Sequence, residues 1–399
     1  MVSVYCPRRL SAVFEEALAR FPAVLVTGPR QSGKTTFLRE EWGEGAHYVT
    51  FDDPLERDFA RTDPNGFLDR FAGRQAILDE IQYVPELLSY LKIRIDADRH
   101  SYGRWLLTGS QQLQLMANVS ESLAGRIALL ELLPFSLLEL PERPSLENLL
   151  WNGAYPEPAL EPEKRDLWVS SYLRTYVERD VRQIHNIQDL ALFESYLALC
   201  AARHGQEMSW SDVARSVGIA QPTAKTWSSV LEAAYVTFLV RPYFENFGKR
   251  IIKTPKIYFL DPALVVALTR QSGAAAALAG AQGGSLFEGW VLAEAYKVFT
   301  LHGKRADLYF WRSHDQLEVD LLLPLGGRLQ PVEIKLTATP TRRHVEPLRR
   351  FQELAGDAAA ETGLLVCRTP EPRPLPGGAL ALPWWEFPAW LDARLRDLG

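Results

Sequence analysis

Gly28-Pro29-Arg30-Gln31-Ser32-Gly33-Lys34-Thr35 follows directly on the apolar run Pro22-Ala23-Val24-Leu25-Val26-Thr27 and leads into Thr36-Phe37-Leu38. A strand, a glycine-bounded loop and a helix start in this order form a phosphate-binding loop. Gly28 and Gly33 let the backbone wrap a polyphosphate closely, while successive N–H groups and the helix N-terminus point at its negative oxygens. Gly28, Pro29, Arg30, Gln31, Ser32, Gly33, Lys34, Thr35 and Thr36 are therefore the candidate nucleotide-binding residues. Lys34 reaches the β and γ phosphates and counts among the candidate catalytic groups. Thr35 offers its hydroxyl to Mg²⁺, an ion that takes only one or two protein ligands beside phosphate oxygens. The implied cofactors are ATP and Mg²⁺.

At 399 residues the chain is longer than one hydrophobic core organises, so two or three domains are expected. The hydrophobic fraction of 47% suits globular folding throughout. Cys6, Cys200 and Cys367 lie far apart, with no metal-ligand or redox spacing, as suits a reducing cytoplasm. No apolar stretch approaches the roughly 18 to 20 residues that cross a bilayer, and Arg8, Arg9, Glu15 and Glu16 interrupt any signal-peptide reading. The expectation is a cytoplasmic protein without a membrane partner. A net charge of −5 gives no global sign of nucleic acid, although a local basic face can still bind phosphates.

Downstream of the loop, Gln75-Ala76-Ile77-Leu78 is a second apolar strand that ends in Asp79-Glu80. An acid at such a strand tip holds Mg²⁺ through water, which makes Asp79 a metal candidate, and Glu80 can orient the attacking water. Two more strands are predicted, His47–Phe51 before Asp52-Asp53 and Arg104–Leu107 before Thr108-Gly109-Ser110. Alternating β and α elements imply a parallel sheet with helices on both faces and the ligand at the strands' carboxyl ends. There Thr108 and Ser110 are placed to sense the γ-phosphate or the attacking water; a plain turn is the other reading. Arg126, in Glu121-Ser122-Leu123-Ala124-Gly125-Arg126, either projects toward a neighbouring subunit's nucleotide or forms a surface salt bridge.

The loop, Leu-Asp-Glu at 78–80, Leu-Thr-Gly-Ser at 107–110 and Leu-Ala-Gly-Arg at 123–126 together resemble a AAA+ ATPase over residues 18 to 145. With Glu-Arg-Asp-Val-Arg at 178–182 and Phe-Glu-Gly-Trp at 287–290, nearly the whole chain is similar to prokaryotic ATPases that carry a further conserved C-terminal domain. The resemblance implies a homo-oligomeric ring, with a hexamer as the candidate stoichiometry.

Pro141–Pro162 reads as a turn-prone connector and domain boundary. After it, Ser209–Val217, Gly218 and Gln221–Ala233 read as helix, tight turn, helix, with Ser211 capping the first and Val230 and Leu231 facing the core of the second. Gln221, Thr223 and Lys225 then lie near the exposed start of a recognition helix. Strands Tyr235–Val240 and Lys256–Phe259 flank a basic wing containing Lys249, Arg250 and Lys253. From Arg203 to Lys256 there are eight Lys or Arg against four Asp or Glu, a local surplus that suits DNA. Winged helices also serve as protein-binding platforms and as the lids of ATPases.

Ser272–Ser285 is read as a flexible Ala-Gly stretch, followed by a helix carrying Glu288 and Glu294 and by strands at Leu308–Arg312, Leu317–Leu321 and Val332–Lys335. Glu333 and Lys335 share a strand face because side chains alternate with period two, and Asp320 sits on the neighbouring strand. With Glu288 they make a candidate site for one or two Mg²⁺ ions acting on a phosphodiester. The pattern resembles the PD-(D/E)xK nuclease fold, although Val319 stands where that motif often has proline before the acid.

The expected fold class is thus α/β: a AAA+ parallel sheet over 1–145, a helical and winged-helix domain over 146–270, and a restriction-endonuclease-like α/β domain over 271–399. The leading function is a Mg²⁺-dependent ATPase that binds and remodels DNA by translocation, unwinding or branch migration. An ATP-gated nuclease and a nucleotide-switch scaffold without DNA activity are the rivals.

Overall fold

The computed structural model describes residues 5–109, 119, 122–176, 189–243, 254–313 and 317–398. They form two compact units: one runs to Phe135 and includes Ala233–Tyr235 and Thr300–Lys304, the other comprises Ser136–Glu232, Val236–Phe299 and Arg305–Gly399. The first contains α1 (Ser11–Arg20), β1 (Ala23–Thr27), α2 (Lys34–Trp42), β2 (His47–Thr50), α3 (Pro54–Thr62), α4 (Pro64–Asp69), β3 (Ala76–Asp79), α5 (Leu87–Ala97), β4 (Trp105–Thr108) and β5 (Ile127–Glu131). Its strands all pair in parallel, in the order β2-β3-β4-β1-β5.

Every residue of β1 is buried, which is why it reads as an unbroken apolar run. Ala23 and Leu25 enter a core with Phe67, Leu78, Leu91 and Leu107. Burial of a side chain the size of Leu25 contributes about 1.5–3 kcal/mol. On the other side, α1 packs on β1, and its Phe14 meets Phe37 of α2 edge to face at 5.4 Å. Register aligns the strand ends, since Val26 pairs with Thr108 and Thr50 with Asp79. Thr27, Asp79 and Thr108 thereby share the carboxyl edge of the sheet, where open parallel sheets place ligands.

The second unit begins with α6 (Leu146–Asn152), α7 (Pro156–Leu160) and α8 (Arg165–Tyr176). The expected connector is thus largely helical, and it buries Leu149, Leu150, Ala154 and Tyr155. Next come α9 (Leu190–Ala202), β6 (Gln206–Glu207), α10 (Trp210–Val217), α11 (Gln221–Ala233), β7 (Thr237–Pro242) and β8 (Lys256–Phe259). Gly218, at φ 83, turns the chain between α10 and α11. The cap of α10 is Ser209 rather than Ser211, and the two hydroxyls pair with each other at 3.1 Å. The strand expected from Tyr235 starts at Thr237 because Tyr235 is left-handed, with φ 57.

Then follow α12 (Pro262–Leu268), α13 (Ala274–Ala279), α14 (Gly283–Leu301), β9 (Tyr309–Arg312), β10 (Glu318–Leu325), β11 (Arg328–Ile334), α15 (Glu346–Ala355), β12 (Leu364–Cys367), β13 (Arg373–Leu375), β14 (Ala379–Pro383) and α16 (Phe387–Asp397). The stretch expected to be flexible contains α13, since alanine is the strongest helix former and Ala277 and Leu278 are buried. β10 is antiparallel to β9 and β11, whereas β11 runs parallel to β12. β7 pairs with β9 through Arg241 and Tyr309, so one sheet runs β13-β14-β12-β11-β10-β9-β7-β8-β6. The division drawn at 270/271 therefore falls within a continuous sheet.

Gly153, at φ 74, ends α6 against Asp261, whose buried carboxylate accepts the N–H groups of Ala154 at 2.7 Å and Ala263 at 2.9 Å. A Cβ at Gly153 would lie 2.1 Å from Asp261 Oδ1. Gly153→Ala is expected to cost about 2–4 kcal/mol and to lower the melting temperature in scanning calorimetry by about 5–10 °C. A melting temperature equal to that of the parent would contradict this packing.

Candidate functional site

The phosphate loop owes its path to two glycines and one strained residue. Gly28 has φ 143, and a Cβ there would stand 2.1 Å from the Leu132 carbonyl oxygen. Gly33, at φ 92, is the left-handed N-cap of α2. Between them Gln31 is also left-handed, at φ 59, with its side chain exposed. Ser32 is fully buried and donates to the Pro29 carbonyl at 2.9 Å. Arg8 braces the loop from outside the motif, donating to the carbonyls of Ser32 at 2.9 Å and Leu133 at 2.6 Å. Lys34 is buried, and its ammonium donates to the carbonyls of Gly28 at 3.1 Å and Pro29 at 2.7 Å, which holds a positive charge inside the loop.

Beside the loop, the 3% exposed carboxylate of Asp79 collects three hydroxyls. Thr35 Oγ1 donates at 2.9 Å to Oδ1 and 3.0 Å to Oδ2, Tyr48 donates to Oδ2 at 2.8 Å, and Thr108 donates to Oδ1. Burial first, and then the charge of Asp79, pushes the Tyr48 phenol up to about 12, so it remains a donor at neutral pH. The contact between Thr35 and Asp79 is a hard-oxygen donor set that fits Mg²⁺, which prefers few carboxylate and hydroxyl ligands. Glu80 follows in the left-handed region, at φ 61; its N–H donates to Thr108 Oγ1 at 3.0 Å and its carboxylate accepts from Gln82. Thr108 therefore touches both neighbouring acidic residues.

Ser110 lies outside the described residues. Arg126 forms a two-pronged pair with Asp96, Nε to Oδ1 at 2.6 Å and Nη2 to Oδ2 at 3.0 Å, and donates to the Ala124 carbonyl at 3.0 Å. The Arg126 hydrogen bond holds the Asp96 carboxyl below its usual range.

In the second unit the structure brings Asp320, Glu333 and Lys335 together. Lys335 Nζ lies 3.0 Å from Asp320 Oδ2 and 2.7 Å from Glu333 Oε1, and Asp320 Oδ2 also accepts the Ile334 N–H at 2.8 Å. Glu288 accepts from Tyr258 and, at 3.3 Å, from Lys256, which also pairs with Glu318; Arg312 bonds Glu318 and Glu207. Burial, reinforced by the charge of Asp320, pushes the Glu333 carboxyl well up and that of Glu288 up to about 7. The buried Oε2 of Glu333 has no hydrogen-bond partner. Two lysines and an arginine thus pair with these five acids and offset part of their charge. Among the described residues no group of three or more His, Cys, Asp or Glu side chains is arranged to hold a metal ion.

On α11, Gln221 and Lys225 are exposed and Thr223 is half-buried, while Val230 and Leu231 are fully buried. Lys249, Arg250 and Lys253 lie outside the described residues. Sequence reasoning missed Arg8, Tyr48, Tyr258 and Glu318. Tyr48 had a usable signal, because it stands two positions before Thr50, the strand partner of Asp79, and so shares its face.

Residues 20–140 match the family model described as an AAA domain. Residues 143–275 and 283–387 match two domains of unknown function, DUF8612 and DUF4143. The "Uncharacterized protein Rv2008c" of Mycobacterium tuberculosis and the "Uncharacterized protein Mb2031c" of Mycobacterium bovis are each 35% identical over 338 residues, 84% of this chain and 75% of theirs. Among solved structures, a RuvB variant of Thermotoga maritima aligns at TM-score 0.30 and 19% identity, over 58% of this chain and 87% of that one. Protein VC1899 of Vibrio cholerae aligns at 0.23 and 12%, over 94% and 97%. Both scores are too low to show a shared fold. The chain belongs to the family of these mycobacterial proteins, and its residues 20–140 are an AAA domain of the P-loop ATPase class.

Proposed function

We propose that the protein is a Mg²⁺-dependent ATP hydrolase that acts on DNA, with hydrolysis used to move or remodel strands. One observation carries the ATPase half: the Thr35–Asp79–Thr108 hydroxyl–carboxylate set stands beside a loop that holds the buried ammonium of Lys34. Loop N–H groups and Lys34 bind the phosphates, and Thr35 and Asp79 hold the metal. Mg²⁺, when bound, neutralises charge on the β and γ phosphates. Glu80 orients the attacking water, and Thr108 fixes Glu80 by accepting its N–H. Arg126 serves a neighbouring copy in a ring once it leaves Asp96.

Support for DNA is the exposed start of α11 and the basic surplus in the sequence from Arg203 to Lys253, Lys256 being buried against Glu288 and Glu318. Cutting is the less favoured reading, since the ammonium of Lys335 bridges Asp320 and Glu333. The proposed location is the cytoplasm; among the described residues no helix is long and apolar enough to cross a membrane.

Lys34→Ala is expected to abolish ATP binding or turnover. Glu80→Gln should bind ATP yet hydrolyse it about 10²–10⁴-fold more slowly, and Lys335→Ala should leave turnover intact. A phosphate-release assay checks all three, and normal turnover by Lys34→Ala would refute the site. The same assay with duplex, single-stranded and four-way-junction DNA, followed on native and denaturing gels, tests the second half. Stimulated turnover with rearranged but intact strands is the expected result. Cut strands would instead favour the nuclease, and indifference to every DNA the protein-binding switch. Lys225→Glu should weaken DNA binding and reduce the slope of log affinity against log salt by about 1, and an unchanged slope would remove α11 from the interface.

A further inference from the structure

Of two adjacent arginines, Arg9 is exposed to solvent and Arg8 is only 5% exposed. A guanidinium withdrawn from water is costly unless hydrogen bonds replace its hydration. Arg8 Nη1 donates to the Ser32 carbonyl at 2.9 Å and Nη2 to the Leu133 carbonyl at 2.6 Å, and the group lies over the Phe135 ring, 4.8 Å from its centroid. The two carbonyls belong to opposite ends of the phosphate loop. Ser32 is near its close, and Leu133 follows Leu132, whose carbonyl oxygen borders Gly28 and whose N–H donates to the Thr27 carbonyl at 2.8 Å. All of these residues lie in the first compact unit.

The Ser32 carbonyl is one end of a peptide group whose other end is the Gly33 N–H. In a trans peptide these two point in opposite directions, and no peptide bond among the described residues is cis. Gly33, at φ 92, has no Cβ to keep that peptide from turning over. Holding the oxygen therefore sets the direction of the N–H, and a charge-assisted bond to the oxygen also polarises the peptide and strengthens its N–H as a donor. The segment that carries Arg8 is itself fastened to the loop helix. Glu41, in the last turn of α2, accepts from the Tyr5 hydroxyl at 2.5 Å and from the Ser11 hydroxyl, and the Ser11 N–H donates to the Arg8 carbonyl at 3.2 Å. Burial first, and then Glu41, push the Tyr5 phenol up, so it stays a donor at neutral pH.

We infer that Arg8 is a positioning residue of the nucleotide site: through the Ser32 carbonyl it aims the Gly33 N–H at the phosphates, so tight binding of a polyphosphate needs a residue upstream of the loop motif. This rests on the nucleotide-binding half of the proposed function and needs no DNA to be tested. Both prongs of the guanidinium are required, because one fixes the peptide at the close of the loop and the other ties it to the chain that borders Gly28.

The test combines calorimetric titration of Mg-ATPγS with amide NMR of the full chain carrying ¹³C-carbonyl serine and ¹⁵N-glycine. Those labels single out the Ser32–Gly33 and Ser272–Gly273 peptides, the second serving as a reference. Arg8→Met keeps the stem against Phe135 and removes the donors, whereas Arg8→Lys keeps the charge without the planar fork. In the parent, nucleotide should move the Gly33 amide proton downfield. Arg8→Met should bind at least about tenfold more weakly, the worth of one hydrogen bond to a charged group, and should lose that shift at saturating nucleotide. Arg8→Lys should fall between the two. Parent-like affinity and shift in either folded variant, or bound nucleotide without a Gly33 response in the parent, would overturn the inference. Failure of the parent to bind Mg-ATPγS at all would instead reject the nucleotide site, and this role of Arg8 with it.

Discussion

The carboxylate of Asp79 is the interaction on which the nucleotide site depends. A carboxylate so little exposed is costly unless hydrogen bonds replace its water. Here the replacements are hydroxyls from three different elements, Thr35 on α2, Tyr48 on β2 and Thr108 on β4. The first residues of the loop helix and the two strands flanking β3 are therefore fastened to one point. Parallel register brings them there, because Thr50 opposite Asp79 and Val26 opposite Thr108 align the strand ends. Sheet geometry and nucleotide chemistry are consequently one constraint: slipping β2 by one residue would turn Tyr48 to the other face and remove a donor.

Backbone strain recurs beside this site, at Gln31 and Glu80. Among the described residues the left-handed non-glycine positions are Gln31, Glu80, Tyr235 and Arg270. Gln31 lies in the loop, Glu80 follows Asp79, and Tyr235 reaches the residue that precedes Gly28. Each such conformation costs on the order of 1–3 kcal/mol, and packing and hydrogen bonds must offset it. Glu80 is held through Thr108 and Gln82, and Tyr235 through Thr27 and Glu131. In the second unit the corresponding expense is electrostatic: Glu288, Glu318, Asp320 and Glu333 are held by Lys256, Arg312 and Lys335. Lys256 comes from β8 and Lys335 follows β11, so the charges help join the hairpin of β7 and β8 to the strands beyond it.

How far these features were legible in the residues depended on their range. The phosphate loop was, because Gly28, Gly33, Lys34 and Thr35 act through local backbone geometry. So were the α10–Gly218–α11 turn and the meeting of Asp320, Glu333 and Lys335, which follow from helix and strand periodicity. Tyr48 and Arg8 were not, since one depends on the β2–β3 register and the other on a contact with loop carbonyls across the fold. The pairing of β7 with β9 is likewise long-range, and it hid the continuity of the sheet across residue 270. Composition misled at 272–285, where alanines were read as flexible although they favour helix. Tyr235 reads as part of a strand because nothing in its neighbours signals a left-handed turn.

The central claim, that Asp79 and Thr35 form the metal end of a nucleotide site, is tested most directly by calorimetric titration of ATPγS into the parent and Asp79→Asn proteins, each with Mg²⁺ and with EDTA. The account predicts that Mg²⁺ tightens binding to the parent by at least about tenfold, or about 1.4 kcal/mol, and that Asp79→Asn loses most of this gain while still binding nucleotide. Equal dependence on Mg²⁺ in the two proteins would contradict it.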